Sequence, residues 1–422
     1  MNDKRPQLWN GGPWEQPSRP VLTPLHIPAP RPVLRHRERR RGRFSFLIPV
    51  LCVLCVLLSL LVGFLIGYIR HIGADPFSPG GWYGYGYDYG DWYGSYYPGE
   101  YEEGDLSRAK APAIPSAEAG SGFTLTLAPQ DGTTLSYEAI YARCSPSLVS
   151  ISARTDLGYQ EGTGMVLSEE GYILTNAHIV ADTDEVTVTT TDNRRCEASL
   201  VGFAPMDDLC VLKIDLPGLV PAVFGDSEEL AIGQEVAAIG DALGYRSTIT
   251  DGIISSIDRE VELEGITLTL LQTSAAINTG SSGGMLVDRS GHVIGITTAK
   301  MVTSDGSSEA VGFAIPSARL KYVADRLIAG EEVVRGALGI TVNTLPVDGV
   351  GLEVLEVLDG CDAKAKGICP GDIILKANGL DLTSTQVLTH LKLTLGAGDS
   401  ITLTVQRGED IFDVPVVLTA AG

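Results

Sequence analysis

The chain has 422 residues, of which 44% are hydrophobic and 20% charged, and its 31 Lys+Arg against 52 Asp+Glu give a net charge of −21. That length suits two or three domains rather than one. The charge is unevenly divided: residues 1–70 hold 11 Lys+Arg against 3 Asp+Glu, while the rest hold 20 against 49, and so acidic a body excludes a nucleic-acid-binding role.

Residues 1–34 are interrupted by Pro6, Pro13, Pro17, Pro20, Pro24, Pro28, Pro30 and Pro32, so no regular element runs through them and segment 1–43 reads as disordered and basic. Arg35, Arg37, Arg39, Arg40, Arg41 and Arg43 stand directly before the uncharged stretch Phe44 to Ile69. That stretch exceeds the roughly 20 apolar residues needed to cross a hydrocarbon core of about 30 Å, and Pro49 falls near its start, where a helix tolerates proline. A cleaved signal peptide has a short basic region and an apolar core of about 7–15 residues. Here some forty residues precede a longer core, and no small-x-small cleavage site follows. The expectation is one uncleaved transmembrane helix over 44–69, with the N-terminus cytoplasmic and the rest extracytoplasmic by the positive-inside rule.

Residues 70–136 show no hydrophobic period. Their Trp82 to Gly90 and Trp92 to Tyr97 tracts are rich in Tyr and Gly, and Glu100, Glu102, Glu103 and Asp105 add charge, which reads as a flexible spacer, with adhesion through exposed aromatics as the alternative.

From Ser145 to Pro316 short β-rich runs recur between turn signals: Leu148 to Ser152, Val186 to Thr190, Glu235 to Ile239, Ile249 to Ile257 and Val293 to Thr297. Spaced strands of this kind suit antiparallel barrels. Between them lie three chemically loaded sites. Gly162 to Leu167, a Glu169-Glu170-Gly171 turn and Tyr172 to His178 read as a hairpin that delivers His178 at a strand end. Asp207-Asp208 directly precedes the strand Leu209 to Leu212. Gly280-Ser281-Ser282-Gly283-Gly284 has the composition of a tight turn that exposes a nucleophile, Ser282, beside the N–H groups of Gly280 and Ser282. A serine hydroxyl needs a histidine to take its proton and a carboxylate to fix that histidine's tautomer, and the order His, Asp, Ser is that of the chymotrypsin-type arrangement. Ser317 to Ile328 then carries Leu320, Val323, Leu327 and Ile328 at helical spacing.

Thr175 to Val180, Asp208 to Leu212 and Gln272 to Gly284 together resemble the HtrA (Deg) family of trypsin-like serine proteases. The resemblance implies a mostly β fold, a chymotrypsin-like double β-barrel over 137–330 followed by a PDZ domain. It also implies no metal or ATP, unfolded or misfolded envelope proteins as substrates, assembly into homotrimers and a small aliphatic P1 residue. Carried over by position, His178 is the general base, Asp208 its orienter and Ser282 the nucleophile, with Gly280 and Ser282 forming the oxyanion hole. Asp207 is left as a bland neighbour, because the family places the carboxylate immediately before the Leu-x-Val-Leu strand. The chain departs from the family at Ser281 (usually Asn), Ser274 (usually Asp) and Asp241-Ala242 (usually Asn-Pro).

After Gly330, Arg335 to Ile340, Ala365 to Ile374 and Asn378-Gly379 resemble one PDZ domain of the HtrA type, over 331–422. Backbone N–H groups of Ala337, Leu338, Gly339 and Ile340 would receive a peptide C-terminus at a sheet edge. Of seven cysteines, Cys52 and Cys55 lie in the apolar stretch and Cys144, Cys196, Cys210, Cys361 and Cys369 outside it, an odd set that allows two disulfides at most. No Cys-x-x-Cys spacing outside the apolar stretch and no cysteine in an activated turn argue against a metal site or a thiol protease. Two functions stand: a membrane-anchored serine endopeptidase with no cofactor, and a non-proteolytic PDZ scaffold or chaperone that holds client chains.

Overall fold

The computed structural model describes residues 105–156, 158–241, 248–278, 280–300 and 311–420, all within one unit of the chain, 98–422. The expected basic segment 1–43, the span 44–69 and the tyrosine-rich tracts lie outside the described residues. Among those described, no helix is long and apolar enough to cross a membrane.

Two sheets form the protease part of the described chain, the first antiparallel and the second antiparallel except where Phe224–Gly225 pairs in parallel with Leu127–Ala128 and with Val293. The first places seven strands in the order Arg195–Glu197, Glu185–Thr190, Leu148–Thr155, Gly158–Val166, Tyr172–Thr175, Leu209–Lys213 and Ser199–Ala204. Alternation drives it: Val186 and Val188 turn inward onto Val149, Ile151, Ile173 and Leu212, while the residues between them face out. The second sheet runs Leu127–Ala128, Phe224–Gly225, Val293–Lys300, Met285–Asp288, Glu235–Gly240, Thr248–Leu263, Ile266–Thr273 and Gly312–Pro316. Gly312–Pro316 also pairs with Val293–Lys300, which closes the sheet on itself and leaves no free edge on that side. Its interior holds Val236, Ala238, Ile254, Leu271, Leu286, Ile294 and Ala314, while Ala237, Ile239, Leu270, Met285, Val287, Phe313 and Ile315 on its other face share a core with the first sheet and the closing helix.

The helix expected at the end of the barrels is Ser317–Ala329, ended by Gly330 in the left-handed conformation at φ +80°. It buries Leu320, Val323, Leu327 and Ile328, each contributing up to about 1.5–3 kcal/mol. The spacer expected over 70–136 needs correction where it is described. From Asp105 onward it is a strap fastened along both sheets: Leu106 N–H donates to Glu264 O, Ala113 N–H to Thr183 O, Ala117 N–H to Leu200 O and Gly120 N–H to Ile328 O. Leu106 and Leu125 are buried, so the strap is part of the core that its sparse hydrophobes did not announce.

The remaining residues form a sheet in the order Ile340–Val342, Leu352–Val357, Ile373–Ala377, Ser400–Arg407 and Asp410–Val417, with Leu380–Asp381 paired beside Ile373–Ala377. Helix Thr385–Leu391 packs Val387, Leu388 and Leu391 against its core. This domain docks on the second sheet. Tyr322 Oη on the closing helix donates to Asp399 Oδ2 at 3.0 Å, and Lys392 Nζ lies 3.4 Å from Glu260 Oε1. His390 sits between Asp258, whose Oδ2 is 3.1 Å from Nδ1, and Glu228, whose Oε1 is 3.7 Å from Nε2. The five cysteines in the described residues are all free.

The His390 contact makes docking pH-dependent. The Asp258 hydrogen bond raises the His390 pKa above 6.5, burial opposes it, and the charges of Asp258, Glu228 and Asp226 add to the rise. A pKa raised in the docked state stabilises fully below the ordinary value and is lost as pH rises through the raised one. Thermal unfolding of wild type and His390→Gln from pH 5.5 to 8.5 should show a midpoint gap of about 1–3 °C at the acid end that closes at the alkaline end. A gap constant with pH would mean that His390 contributes by packing alone.

Candidate active site

The pairing register assembles the site. Tyr172–Thr175 lies between Gly158–Val166 and Leu209–Lys213, with Thr175 opposite Cys210, so the residues just after Thr175 stand beside the residue just before Leu209. Those residues are Asn176, Ala177 and His178 on one side and Asp208 on the other. His178 sits in a one-turn helix, Ala177–Val180, rather than at the strand end itself. The Asp208 carboxylate serves that helix as a remote cap. Its Oδ1 accepts from the His178 backbone N–H at 3.0 Å and from His178 Nδ1 at 2.9 Å. Its Oδ2 accepts from Asn176 Nδ2 at 3.0 Å and from the Thr298 hydroxyl. Asp208 is 2% exposed and its backbone is left-handed at φ 50°, ψ 43°.

Ser282 arrives from the second sheet, in the turn before Met285–Asp288. Two carbonyls of this turn are pulled onto one residue of the first sheet: Thr163 N–H donates to Ser282 O at 2.8 Å, and Thr163 Oγ1 donates to Gly280 O at 2.9 Å. Only glycine fits at 283, where φ is +82° and a Cβ would lie 1.8 Å from Thr163 O. Ser281 O accepts from Thr297 Oγ1 and from Gly284 N–H. In a planar trans peptide the N–H points opposite to the C=O, so this holds the Ser282 N–H away from the barrel. Among the described residues the N–H groups of Gly280 and Ser282 donate to no backbone carbonyl.

Thr298 joins the two halves. Its hydroxyl donates to Asp208 Oδ2, and its carbonyl accepts from Ser282 Oγ at 3.0 Å. The structure therefore brings His178, Asp208 and Ser282 together around one strand residue. In this arrangement the Ser282 hydroxyl is committed to Thr298 O and makes no hydrogen bond to His178. Burial disfavours the charged imidazole, but the Asp208 charge and hydrogen bond outweigh it, with Glu264 acting in the same sense, and raise the His178 pKa to about 9.

Residues 162–296 match the trypsin-like peptidase domain family and residues 328–406 the PDZ domain family. The serine protease PepD of Mycobacterium tuberculosis is 33% identical over 327 residues, covering 72% of this chain and 67% of PepD. A solved structure of the HtrA-type protease AlgW with a tripeptide is 33% identical, with a TM-score of 0.58 over 68% of this chain and 98% of that one. The chain belongs to the HtrA family. A probable periplasmic DegP-like serine endoprotease of Chlamydia trachomatis is 36% identical over 273 residues, 61% of this chain and 54% of the relative. This HtrA chain thus spans about half the length of the DegP-like relatives it matches.

Two of the departures from the HtrA pattern, Ser274 and Asp241, make specific contacts. Ser274 Oγ accepts from Ile253 N–H at 3.0 Å, and Asp241 accepts from Ser150 Oγ while its own N–H donates to Thr163 Oγ1 at 2.9 Å. Sequence reading missed three members of the site. Asn176 and Thr163 stand inside the motifs named above without a role, and Thr298 has no signal beyond following the β-rich run Val293 to Thr297.

In the PDZ domain the expected loop lies between Gly336–Ala337, which pairs with Thr419–Ala420, and the edge strand Ile340–Val342. Leu338 and Gly339 N–H groups donate to no backbone carbonyl among the described residues, while Gly339 O accepts from Leu358 N–H at 2.8 Å. Gly339 has φ +68°, and a Cβ there would meet Cys361 Cβ at 2.4 Å, so close packing beneath the loop requires glycine.

A base must be neutral to accept a proton, so a His178 pKa raised from 6.5 to about 9 leaves the base mostly protonated at neutral pH. Turnover should rise with pH along a limb extending toward 9. Stability runs the other way: the His178⁺–Asp208 contribution is full below 6.5 and is lost as pH passes about 9. A pH–rate profile and a pH series of melting temperatures check both, and a rate plateau reached by pH 6.5 would contradict the assignment.

Proposed function

We propose that this HtrA chain is a membrane-anchored serine endopeptidase that degrades damaged or misfolded exported proteins, with a protease domain at 137–330 and a PDZ domain at 331–422. The observation that carries it is Thr298, which bonds Asp208 by its hydroxyl and Ser282 by its carbonyl and so links the carboxylate that holds His178 to the turn that carries Ser282. Attack requires Ser282 Oγ to leave Thr298 O and turn to His178 Nε2. His178 takes its proton as Oγ bonds the substrate carbonyl, the Asp208 hydrogen bond keeps the other imidazole proton on Nδ1, and the N–H groups of Gly280 and Ser282 receive the developing oxyanion. His178 then returns the proton to the leaving amine, and water hydrolyses the acyl-enzyme by the same route. The anchor rests on the length and lack of charge of Phe44 to Ile69.

PDZ binding of peptide C-termini at Ala337, Leu338, Gly339 and Ile340 is supported by the unengaged Leu338 and Gly339 amides at an edge strand. A tripeptide is bound in the related AlgW structure. Family resemblance supports a homotrimer. The scaffold alternative has one observation on its side, the Ser282 hydroxyl donated to Thr298 O.

A fluorophosphonate probe distinguishes the two. Wild type and Ser281→Ala are expected to be labelled and to cleave casein, while Ser282→Ala does neither, with turnover down by about 10⁴ or more. Wild type left unlabelled under peptide activation would favour the scaffold. The labelled band should stay with membranes through an alkaline carbonate wash, and its release would remove the anchor from the proposal. Calorimetry with a peptide ending in an aliphatic residue should give a Kd around micromolar, and amidating that peptide's C-terminus should weaken it at least about tenfold. Equal affinity for both forms would exclude a carboxylate-binding loop.

A further inference from the structure

Asp207, the neighbour of Asp208, is 3% exposed and holds two guanidiniums on one oxygen. Its Oδ1 accepts from Arg319 Nε at 3.1 Å and Nη2 at 2.9 Å, and from Arg335 Nε at 3.2 Å. Each arginine is itself anchored. Arg319, on the closing helix, donates Nη1 to Lys392 O at 3.2 Å and Leu393 O at 3.4 Å, and its guanidinium lies 4.7 Å from the Tyr322 ring centre. Arg335, on the connection into the PDZ domain, donates to Thr267 O at 2.6 Å and to Met206 O. The closing helix, the second sheet, the interdomain connection and the PDZ domain therefore all converge on the short turn Pro205–Asp207.

That turn sets where Asp208 points. Asp208 is its cap, with its N–H on Pro205 O at 3.0 Å and a left-handed backbone. A non-glycine residue holds that conformation only where its surroundings impose it. The local donors at Asp208 grip mainly its side chain, and among the described residues Asn176 Nδ2 to Asp208 O at 3.0 Å is the one side-chain bond to its main chain. The clamp on Asp207 supplies the missing constraint one residue upstream. It also answers a charge problem: adjacent buried aspartates repel, and two cations drawn to the first offset that repulsion.

We propose that Asp207, through Arg319 and Arg335, is a positioning residue that fixes the Asp208 carboxylate against His178. The proposal rests on the serine-protease reading of His178, Asp208 and Ser282, and its test reads the imidazole directly as well as turnover. The full chain is compared with Asp207→Asn, Arg335→Met and Arg335→Lys for kcat, KM, pH–rate profile, and the downfield NMR resonance of the His178 Nδ1 proton. Asp207→Asn should lower kcat about tenfold or more with KM within about twofold, because a small misplacement of a catalytic group carries costs of this size. The rate limb should move toward lower pH, since a displaced Asp208 raises the His178 pKa less, and the Nδ1 resonance should shift upfield. Arg335→Met should show the same signs more weakly and Arg335→Lys should recover part of the loss. Arg335→Met carries the test if Asp207→Asn fails to fold, because Arg335 is partly exposed.

Wild-type kcat, profile and resonance in both Asp207→Asn and Arg335→Met would overturn the proposal while leaving Ser282 chemistry intact. A wild type inert to fluorophosphonate would instead strike the protease reading, and the resonance would still decide whether Asp207 positions Asp208.

Discussion

A single buried carboxylate governs the architecture of the barrel junction. Removing an unpaired carboxylate from water costs several kcal/mol, so Asp208 at 2% exposure must be met by donors from every side. It is met by the first turn of the helix that carries His178, by the imidazole, by the Asn176 amide and by the Thr298 hydroxyl. Three of these donors come from the first sheet and one from the second. The demand for solvation thus joins the two sheets at the point where their chemistry meets, and the short helix, the Thr298 strand and the Ser282 turn take their places around it.

The interface between the sheets is also why glycine and threonine dominate there. Thr163 donates its N–H to one sheet-two carbonyl and its hydroxyl to another, while its own carbonyl accepts from Thr175 Oγ1 at 2.7 Å. Such density of polar contact tolerates no added carbon, and Gly283 fills the gap with its backbone alone. Hydroxyls on short branched side chains reach carbonyls that longer side chains would overshoot. The site is rigid in its frame, and the Ser282 hydroxyl is the group left with a choice of acceptors.

What could be read from the chain before its fold was known followed the range of the interactions. Local signals were plain: the strands Leu148–Thr155 and Glu235–Gly240, the amphipathic period of Ser317–Ala329, and the turn composition around Ser282. The family motifs supplied the order of His178, Asp208 and Ser282. Asp207 was passed over because nothing within ten residues marks it; its partners Arg319 and Arg335 lie 112 and 128 residues away. Thr298 was silent for the same reason, at 90 residues from Asp208. The strap was misread as spacer because it has few hydrophobes and buries them singly, at Leu106 and Leu125, and so shows no period.

The strap carries a consequence for the order in which the molecule forms. Leu125 N–H donates to Asp325 Oδ1 across 200 residues of chain, and Gly120 N–H donates to Ile328 O. During synthesis the strap exists first, and its partners on the closing helix exist only after both sheets have been made. Contacts of such separation are slow to form, since the loop-closure entropy is incurred before the contact repays it. The first sheet can condense as soon as its own strands are present, because its pairings close within a span of fewer than 70 residues. Tying the strap to the closing helix is a late event, and until it happens Leu125 and the face of the helix it covers stay wet. Nascent chains therefore pass through a stage in which the sheets are formed but unlatched, and what completes the protease is the arrival of the segment that also leads into the PDZ domain.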